Sequence, residues 1–398
     1  MKKIFFSVIF CLMLSAQAYG QSAQTVHVIE AGTLSNLLSN PTEIIQLTVT
    51  GTIDARDIYY LDKLWYLEKL DLSDANIVAF DGMAVPSNPY TNRFYPANEL
   101  PSGSFSLPLS SLVLPKTLTS IDFMGINQDM MPLTSLVIPE GVVTIGDYFA
   151  VYQPLFITLT LPSTLISLGE WSFFSSNNLS VIINRNPNPI DIDESVFFEV
   201  NKNTCILYVP ANSKSDYESV NVWKDFANII ELPNISEEDF IFTPSDNSAL
   251  IEWQPIENAE GYRIIIYSNE ARTDIVCVLE FNAAGELVLV PHGARSAMQT
   301  ASRDVARNVF THTVENLQSG TPYYYTLEIL GVGNVVLASL SDMFSTDEIS
   351  GIVKTLRATS LPEVKGYYSI TGAKLPKEPA SGIYIILYDN GKAEKVVK

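Results

Sequence analysis

Residues that could perform acid–base or nucleophilic chemistry are few in this sequence and lie far apart. The three histidines, His27, His292 and His312, fall in separate stretches of the chain. No Gly-x-Ser-x-Gly motif, His-Glu-x-x-His motif or paired-cysteine spacing brings a nucleophile or a metal ligand beside a base. Because catalysis needs a nucleophile, a base and an orienting group within reach of one another, the sequence predicts no enzyme, no catalytic residue, no cofactor and no metal site.

Three further patterns resemble sites but are interpreted as structural. The stretch DIDESVFFE contains four carboxylates, namely Asp191, Asp193, Glu194 and Glu199. It lacks the glycine and the regular oxygen spacing of a calcium-binding loop, so a solvated turn is predicted. GVGNVV, residues 331–336, has too few glycines for a nucleotide fingerprint and is assigned to a hairpin. Cys205 and Cys277 are assigned to different domains, so no disulfide is predicted.

The N-terminal residues predict export. Two lysines precede an apolar run over residues 4–14, and small residues favour cleavage after Ala18 or Gly20. Residues 1–20 are therefore interpreted as a signal peptide, and no transmembrane segment is predicted in the mature chain. The expected location is the cell surface, the outer envelope or the extracellular medium.

The charge of the chain excludes two classes of partner. The formal net charge is −20, whereas nucleic acids and anionic lipid surfaces are bound through Lys and Arg. Residues 351–398 differ, because they hold eight Lys or Arg against four Asp or Glu. With 17% charged and 47% hydrophobic residues, the chain is typical of a globular protein.

A repeated phrase organises the first half of the chain. The phrase occurs as LSSLVLPKTLTSI, LTSLVIPEGVVTI and FITLTLPSTLISL, and its prolines, Pro115, Pro139 and Pro162, are 24 and 23 residues apart. A further proline, Pro210 in CILYVP, follows two periods later. LSVIINRN supplies the intervening copy, with Asn184 in place of proline, and YLEKLDLSDANI and IIQLTVTGTI extend the pattern upstream. One such unit cannot enclose its own apolar face, so seven stacked coils sharing one core are predicted.

The repeats predict a parallel sheet with two distinct faces. The strands at Leu112, Leu136, Leu159, Val181 and Leu207 should lie side by side. Side chains alternate between the two faces of a strand, and Val181 and Ile183 are placed inward. Two outward columns follow. One is Thr48, Asp71, Val113, Val137, Thr160, Ile182 and Tyr208, and its neighbour is Gln46, Lys69, Ser111, Ser135, Thr158, Ser180 and Ile206.

The repeat phrase resembles the BspA-like class of leucine-rich repeats found in surface proteins of the Bacteroidetes. The form L-x-x-L-x-[LI]-P-x-x-[LV]-x-x-[IL]-[GD], followed by Phe149 or Phe173, carries the resemblance. HVIEAGTLSNLL is similar to the segment that precedes such repeats, and CILYVPANSKSDYESVNVWKDFANI is similar to their closing segment. The resemblance implies a leucine-rich repeat solenoid over residues 21–232, interrupted by an insertion at residues 81–105.

Two further regions follow the repeats. Residues 235–347 alternate polar and apolar residues at period two, which predicts an antiparallel sandwich. Trp253 and LQSGTPYYYTLEIL resemble fibronectin type III domains, with Leu317, Gly320, Thr321 and Tyr323 at the tyrosine-corner positions.

Residues 352–398 are predicted to form three strands. They resemble C-terminal sorting modules of Bacteroidetes secreted proteins at Ile370, Gly372, Leu375, Gly382, Ile383 and Tyr384. A small stabilising β domain without a sorting role is the alternative. The fold class is thus mainly β.

The predicted function is binding. Exposed apolar rows often mark contacts, so the hypothetical ligand-binding face comprises Val113, Val137, Thr160, Ile182 and Tyr208. The alternative is that the insertion or the return loops cover this column. The resemblance implies a non-enzymatic adhesion protein that recognises an extracellular protein, for example of the host matrix.

Two other functions stay open. The first is a glycan-binding accessory protein of a polysaccharide-uptake system, for which Tyr90, Phe94 and Tyr95 of the insertion could stack on sugars. The second is an enzyme of unfamiliar type. An exposed aromatic platform would favour the glycan reading over the protein-binding one.

Overall fold

The computed structural model describes residues 22–86, 88–126, 131–289, 302–304, 309–347, 364–369, 374–375, 383–388 and 393–397. The predicted signal peptide, His292, Ile370, Gly372 and Gly382 lie outside the described residues. The predicted mainly-β class is confirmed. The chain forms two compact units, Met1–Asp347 and Glu348–Lys398, and the first unit contains two large hydrophobic cores, one over residues 28–229 and one over residues 240–344.

The first core lies within a stack of short strands. They are β1 (Ser22–Val28), β2 (Ile44–Ile53), β3 (Lys69–Asp71), β4 (Ala75–Ile77), β5 (Phe80–Met83), β6 (Asn92–Tyr95), β7 (Glu99–Leu100), β8 (Ser111–Val113), β9 (Ser120–Ile121), β10 (Ser135–Val137), β11 (Thr144–Ile145), β12 (Thr158–Leu161), β13 (Ser167–Leu168), β14 (Val181–Asn184), β15 (Ile206–Val209) and β16 (Asn228–Glu231). The helices are α1 (Leu34–Leu37), α2 (Ala55–Leu61), α3 (Lys214–Tyr217) and the 3-10 turns Pro41–Glu43, Pro89–Thr91 and Trp223–Asp225.

The repeat strands form parallel ladders on one side of the stack. β10, β12, β14, β15 and β16 pair in this order, as do β1, β2, β3 and β8, with β4 also on β2. Parallel pairing was predicted from the 23-residue spacing and is confirmed for these strands. The prediction of a single sheet is wrong, because no ladder joins β8 to β10 in the part of the chain that the structure describes, although the two strands lie adjacent.

The register of β14 corrects one predicted position. Leu159 pairs with Ile182, and Ile182 pairs with Leu207, so Ile182 points into the core and is fully buried. Its neighbours Val181 and Ile183 point to the outer face. The sequence alignment placed Asn184 at the proline position, but Asn184 pairs with Leu161, one position earlier. A one-residue slip exchanges the two faces of a strand, so Ile182 was wrongly assigned to the outward column.

A second parallel sheet closes the opposite side of the core. It consists of β7, β9, β11 and β13, each two residues long. Leu100, Ile121, Ile145 and Leu168 align in register and are buried. Glycine is required where the coils approach each other, since a Cβ on Gly169 would lie 2.4 Å from the backbone nitrogen of Asp147.

A buried carboxylate ties the first residues to the stack. Asp57 in α2 accepts hydrogen bonds from the backbone nitrogens of Gly32 at 2.6 Å, Leu34 at 3.0 Å and Asp54 at 3.1 Å. Burial raises the pKa of Asp57, and the three donors oppose that shift. The segment before the repeats is therefore held in place by polar contacts as well as by its apolar side chains.

The insertion at residues 81–105 contains an antiparallel hairpin. β5 pairs with β6, and Phe80 and Tyr95 pack with Ala55, Tyr59 and Ala84 in a small separate cluster. The Arg56 guanidinium lies 4.5 Å above the Phe80 ring, and that of Arg93 lies 4.8 Å above the Tyr95 ring. The hairpin therefore has its own small core.

The second core lies between two antiparallel sheets. The strands are β17 (Phe240–Pro244), β18 (Ala249–Trp253), β19 (Gly261–Tyr267), β20 (Ile275–Asn282), β21 (Leu287–Leu289), β22 (Ser302–Asp304), β23 (Val309–Val314), β24 (Pro322–Leu330) and β25 (Val336–Ser345), with 3-10 turns at Glu237–Asp239 and Val332–Asn334. The sheet orders are β17-β18-β23-β22 and β21-β20-β19-β24-β25. Trp253 is buried among aromatic rings, and the Tyr323 hydroxyl accepts a hydrogen bond from the backbone nitrogen of Gln318 at 2.8 Å.

The second compact unit contains one antiparallel sheet. Its strands are β26 (Val364–Ser369), β27 (Lys374–Leu375), β28 (Ile383–Tyr388) and β29 (Ala393–Val397), in the order β27-β26-β28-β29. The sequence predicted three strands here, and the short β27, which holds Leu375, is the additional one. Ile383 and Tyr384 begin β28.

Candidate functional site

The predicted ligand-binding column is exposed at one end and buried at the other. Val113 is 43% exposed and Val137 is 62% exposed. Thr160, Ile182 and Tyr208 are buried, at 7%, 0% and 1% exposure. Ile182 is buried because it points into the core, as its register shows, whereas Tyr208 points outward and is buried by another part of the chain.

The β24–β25 hairpin of the sandwich covers Tyr208. Val181, Ile183, Tyr208 and Leu337 form a buried cluster, with Ile206, Ile230, Leu232 and Val335 packed at its edge. The backbone nitrogen of Val332 donates to the Tyr208 hydroxyl at 3.5 Å, which is a long contact. Burial also raises the pKa of Tyr208. The apolar end of the outward column therefore contacts GVGNVV and its neighbour Leu337.

The other outward column is polar and partly exposed. Gln46, Lys69 and Ser135 are exposed, while Ser111 and Thr158 are half-buried. Ser180 was predicted to belong to this column, but Val181 occupies that position, because Val181 pairs with Thr158 on one side and with Ile206 on the other. Hydroxyl and amide groups at these positions are usual on a solvated strand and do not define a site.

A row of aromatic rings lies at the turns that follow the second parallel sheet. One line contains Phe123, Tyr148 and Trp171, with ring centroids 5.7 Å and 6.4 Å apart. The next line contains Tyr152, Phe174 and Phe198, with ring centroids 5.0 Å and 5.8 Å apart. Trp171 joins the lines, since its ring lies 5.3 Å from Phe174 and 5.9 Å from Phe198. These six residues are called the aromatic row.

The aromatic row is accessible. Phe123, Tyr148, Tyr152 and Phe198 are 36–50% exposed, and Trp171 and Phe174 are half-buried. Contiguous exposed apolar surface is uncommon on a monomer and marks interaction sites. The sequence signal was present: each ring of the first line follows the buried apolar residue of a two-residue strand by two or three positions, once per coil. The prediction of a binding face was limited to the outward residues of the repeat strands and therefore did not include these rings.

The backbone holds the rings in an unusual conformation. Tyr148, Tyr152 and Trp171 have φ values of 56°, 53° and 58°, a region that bulky residues seldom adopt. Hydrogen bonds between successive coils maintain it: the backbone nitrogen of Tyr148 donates to the carbonyl of Glu170, and that of Tyr152 to the carbonyl of Phe174, both at 2.9 Å. Strained residues of this kind concentrate at binding sites.

A polar groove of about 380 Å³ borders the first line of rings. The outward residues of the second parallel sheet, Glu99, Ser120, Thr144 and Ser167, form its floor in register. The rest of its lining is Ile121, Asp122, Phe123, Ile145, Gly146, Asp147 and Gly169. Burial, followed by the nearby charge of Asp122, raises the pKa of Glu99. The groove thus offers carboxylates and hydroxyls beside Phe123, and its residues Asp147 and Gly169 lie one and two positions before Tyr148 and Trp171 in the chain.

The insertion lies at one end of this groove. Arg93 of β6 donates to the Asp122 carboxylate at 3.0 Å. Of the insertion aromatics, Tyr90 is 92% exposed and Phe94 is 61% exposed, but Tyr95 is buried and its hydroxyl donates to the carbonyl of Thr91. Tyr95 is therefore structural, and Tyr90 and Phe94 are separate exposed rings.

A larger cleft lies where the repeat region meets the sandwich. Its volume is about 500 Å³, and its lining includes Lys214, Glu231 and Asn258. The Glu231 carboxylate accepts from the backbone nitrogen of Lys214 at 3.2 Å, and the Glu231 carbonyl accepts from Asn258 at 3.3 Å. These polar groups therefore join the two parts of the chain.

The residues considered for catalysis or metal binding have local structural contacts. Asp193 accepts from the backbone nitrogen of Ser195, and Glu199 accepts from the Ser175 hydroxyl at 2.7 Å. Among the described residues, no group of three or more His, Cys, Asp or Glu is placed to hold a metal ion. The two thiols are free and buried in different cores; burial raises the pKa of Cys205 to about 12 and that of Cys277 to about 11.

The remaining histidines are also accounted for. The His27 imidazole lies 3.0 Å from the Thr50 hydroxyl. His312 is buried in β23, with neither ring nitrogen hydrogen-bonded to the residues that the structure describes, and burial lowers its pKa. A buried histidine of this kind favours the neutral imidazole.

No protein-family model matches the chain, and no curated protein matches it either. In the described parts of the chain, the helices are too short and too polar to cross a membrane.

Proposed function

We propose that this chain is a non-enzymatic binding protein of the cell surface or the extracellular medium. In this proposal, a BspA-like leucine-rich repeat region carries the recognition surface, a fibronectin type III-like sandwich supports it, and the C-terminal β unit directs sorting. The parallel coils spaced by 23–24 residues, the buried Trp253 and the Tyr323 hydroxyl contact support these assignments. The signal-like first residues support export.

The observation that carries the proposal is the aromatic row. Six neighbouring rings, four of them more than a third exposed, lie on the repeat region. Tyrosine and tryptophan dominate binding hot spots because they present a large contact area with few rotatable bonds. Val113 on β8 and Val137 on the adjacent β10 add a second, smaller exposed apolar area.

A binding screen of the chain from residue 21 onwards tests the proposal. Immobilised fibronectin, fibrinogen, collagen and laminin represent extracellular protein ligands, and a glycan array represents carbohydrates. We expect saturable binding to at least one probe and its loss when Tyr148→Ala and Trp171→Ala are combined. Tyr66→Ala is the matched control, because Tyr66 is 65% exposed and lies outside both the row and the insertion. Absence of binding to every probe contradicts the proposal.

The second candidate function, a glycan-binding accessory protein of a polysaccharide-uptake system, is favoured by one specific observation. The aromatic row adjoins a groove lined by carboxylates and hydroxyls, and sugars are held by stacking on rings together with polar contacts to their hydroxyl groups. On the array, this candidate predicts stronger binding to polysaccharides than to any matrix protein.

A further inference from the structure

We propose that the aromatic row and the adjoining polar groove form one binding site for a linear, uncharged polysaccharide. This inference rests on the proposed binding function and names the chemical class of its ligand. The site lies on the second parallel sheet and its turns, outside the column of residues first predicted to bind.

The pairing of ring faces with polar groups favours a carbohydrate. The face of an aromatic ring carries partial negative charge, and the C–H groups on the face of a pyranose carry partial positive charge, so the two surfaces attract. The hydroxyls around the rim of the same sugar need hydrogen-bond partners. Ser120, Thr144 and Ser167 supply hydroxyls in one line, and Asp122 and Asp147 supply carboxylates beside the rings.

The repetition of the site favours a linear polymer. Phe123, Tyr148 and Trp171 come from three successive coils, and the groove floor also advances by one residue per coil. Adjacent strands are spaced by about 4.8 Å, and a polysaccharide chain likewise repeats one ring and one set of hydroxyls at a short, regular interval. A chain that follows the stack would therefore meet equivalent contacts at each step.

The charge of the site favours an uncharged polymer. Glu99, Asp122 and Asp147 line the groove, and its lining among the described residues includes no Lys or Arg. Arg93, which lies beside it, is paired with Asp122. The whole chain has a formal charge of −20. Uronate or sulfate groups would meet like charge here, whereas neutral hydroxyls can donate hydrogen bonds to the carboxylates.

Affinity electrophoresis of the chain from residue 21 onwards provides the test. Native gels contain a neutral β-glucan, an α-glucan or a galactomannan, with polygalacturonate and heparin as acidic probes. We expect at least one neutral polysaccharide to retard the protein, and neither acidic one to do so. In Tyr148→Ala/Trp171→Ala we expect affinity to fall at least tenfold. Trp65→Ala/Tyr66→Ala, which removes two rings of 70% and 65% exposure outside the row, the groove and the insertion, should leave it unchanged. Circular dichroism and thermal melting verify that both variants are folded.

A second readout avoids removal of the rings. Trp65→Phe leaves Trp171 as the only partly exposed tryptophan, since Trp223 and Trp253 are buried. Titration with short oligosaccharides of the retarding polymer should then shift the tryptophan emission and saturate. Saturable binding without an emission change contradicts the proposed site.

The remaining outcomes separate this inference from the broader function. Three outcomes overturn the inference. In the first, no neutral polysaccharide retards the protein; in the second, the row variant is retarded as strongly as the parent; in the third, an acidic polymer binds better than the neutral ones. If a matrix protein binds and the row variant loses that binding, the chain remains a binding protein and only the carbohydrate ligand is wrong. If no polysaccharide and no matrix protein binds, both proposals fail.

Discussion

The two outer faces of the repeat region differ in what covers them. On the first parallel sheet, the outward residues become apolar toward β14, β15 and β16, and the sandwich packs on them. On the second sheet, the outward residues stay polar, and the aromatic row beside them remains accessible. An outward apolar column in a repeat region can therefore be either a ligand-binding face or a contact between domains. Here the sandwich that follows the repeats in the sequence covers it, so it is a contact between domains.

The difference follows from the length of the strands. β14 and β15 have four residues each, enough for two outward apolar positions per strand, whereas β11 and β13 have two. Burial of Val181, Ile183 and Tyr208 against Leu337 removes apolar surface from water, which stabilises the contact by roughly 25 cal/mol per Å². The outward residues of the two-residue strands are polar, so the strands themselves offer no comparable apolar surface to bury.

The first prediction sharpens the assignment of inward and outward positions on the first sheet, and it has the largest expected effect. Ile182→Ala should lower the free energy of unfolding by about 2–5 kcal/mol, because it opens a cavity in the core. Val137→Ala should change it by less than about 0.5 kcal/mol, since Val137 is 62% exposed. Urea denaturation measures both. Equal costs would show that the register of β14 is misassigned.

The second prediction breaks the contact between the sandwich and the first sheet. Leu337→Ala should cost about 2 kcal/mol, at the lower end for a buried leucine, because the site lies at a contact between domains. The two cores should then melt separately, so calorimetry should show two transitions where the parent shows fewer. Tyr208→Asp should have the same effect, because it places a charged group in the buried cluster. Unchanged melting of both variants would mean that the sandwich does not cover Tyr208.

The third prediction uses acid to weaken the covering domain selectively. The pKa of His312 is lowered by burial from its ordinary value of 6.5, so the folded state binds this proton less readily than the unfolded state does. The stability of the sandwich is therefore fully present above about pH 6.5, falls as the pH decreases toward the folded pKa, and then levels off. The repeat region lacks a comparably buried histidine among its described residues.

Thermal melts of parent and His312→Phe between pH 7.5 and pH 5 measure this effect. The parent should lose more sandwich stability than the variant does over this range. Parallel pH profiles for the two proteins would assign the acid sensitivity to other groups.

The fourth prediction has the smallest expected effect. It distinguishes the contribution of apolar packing from that of hydrogen bonding where Tyr208 contacts the sandwich. Tyr208→Phe removes only the hydroxyl, whose contact with the Val332 nitrogen is long at 3.5 Å. We expect a loss of about 0.5 kcal/mol, at the low end for a neutral hydrogen bond, with the single joint transition retained. A loss as large as that of Leu337→Ala would mean that the hydroxyl, and not the apolar cluster, stabilises the contact.

Much of the local structure was predictable, because it follows from spacing and alternation. The 23-residue period predicted parallel pairing of β10, β12, β14 and β15, and the period-two pattern predicted the antiparallel strands around Trp253. The register of β14 was not predictable from the proline alone, because Asn184 could be aligned with either Leu161 or Pro162. Only the pairing of neighbouring strands distinguishes the two alignments.

The accessible surface was less predictable, since it depends on contacts between distant segments. Tyr208 and Val332 are 124 residues apart, and no local pattern reports that they meet. The aromatic row does have a local signal, the recurrence of Phe123, Tyr148 and Trp171 after successive short strands. Its meaning became clear only when the rings were found within about 6 Å of one another.

Tyrosine nitration by tetranitromethane most directly tests the claim that the aromatic row is accessible and that the predicted column is covered. Mass spectrometry of the folded protein should show nitration of Tyr148 and Tyr152, which are 36% and 48% exposed. Tyr208, which is 1% exposed and has a raised pKa, should stay unmodified until the protein is denatured. Nitration of Tyr208 as fast as that of Tyr148 in the folded protein would contradict the account.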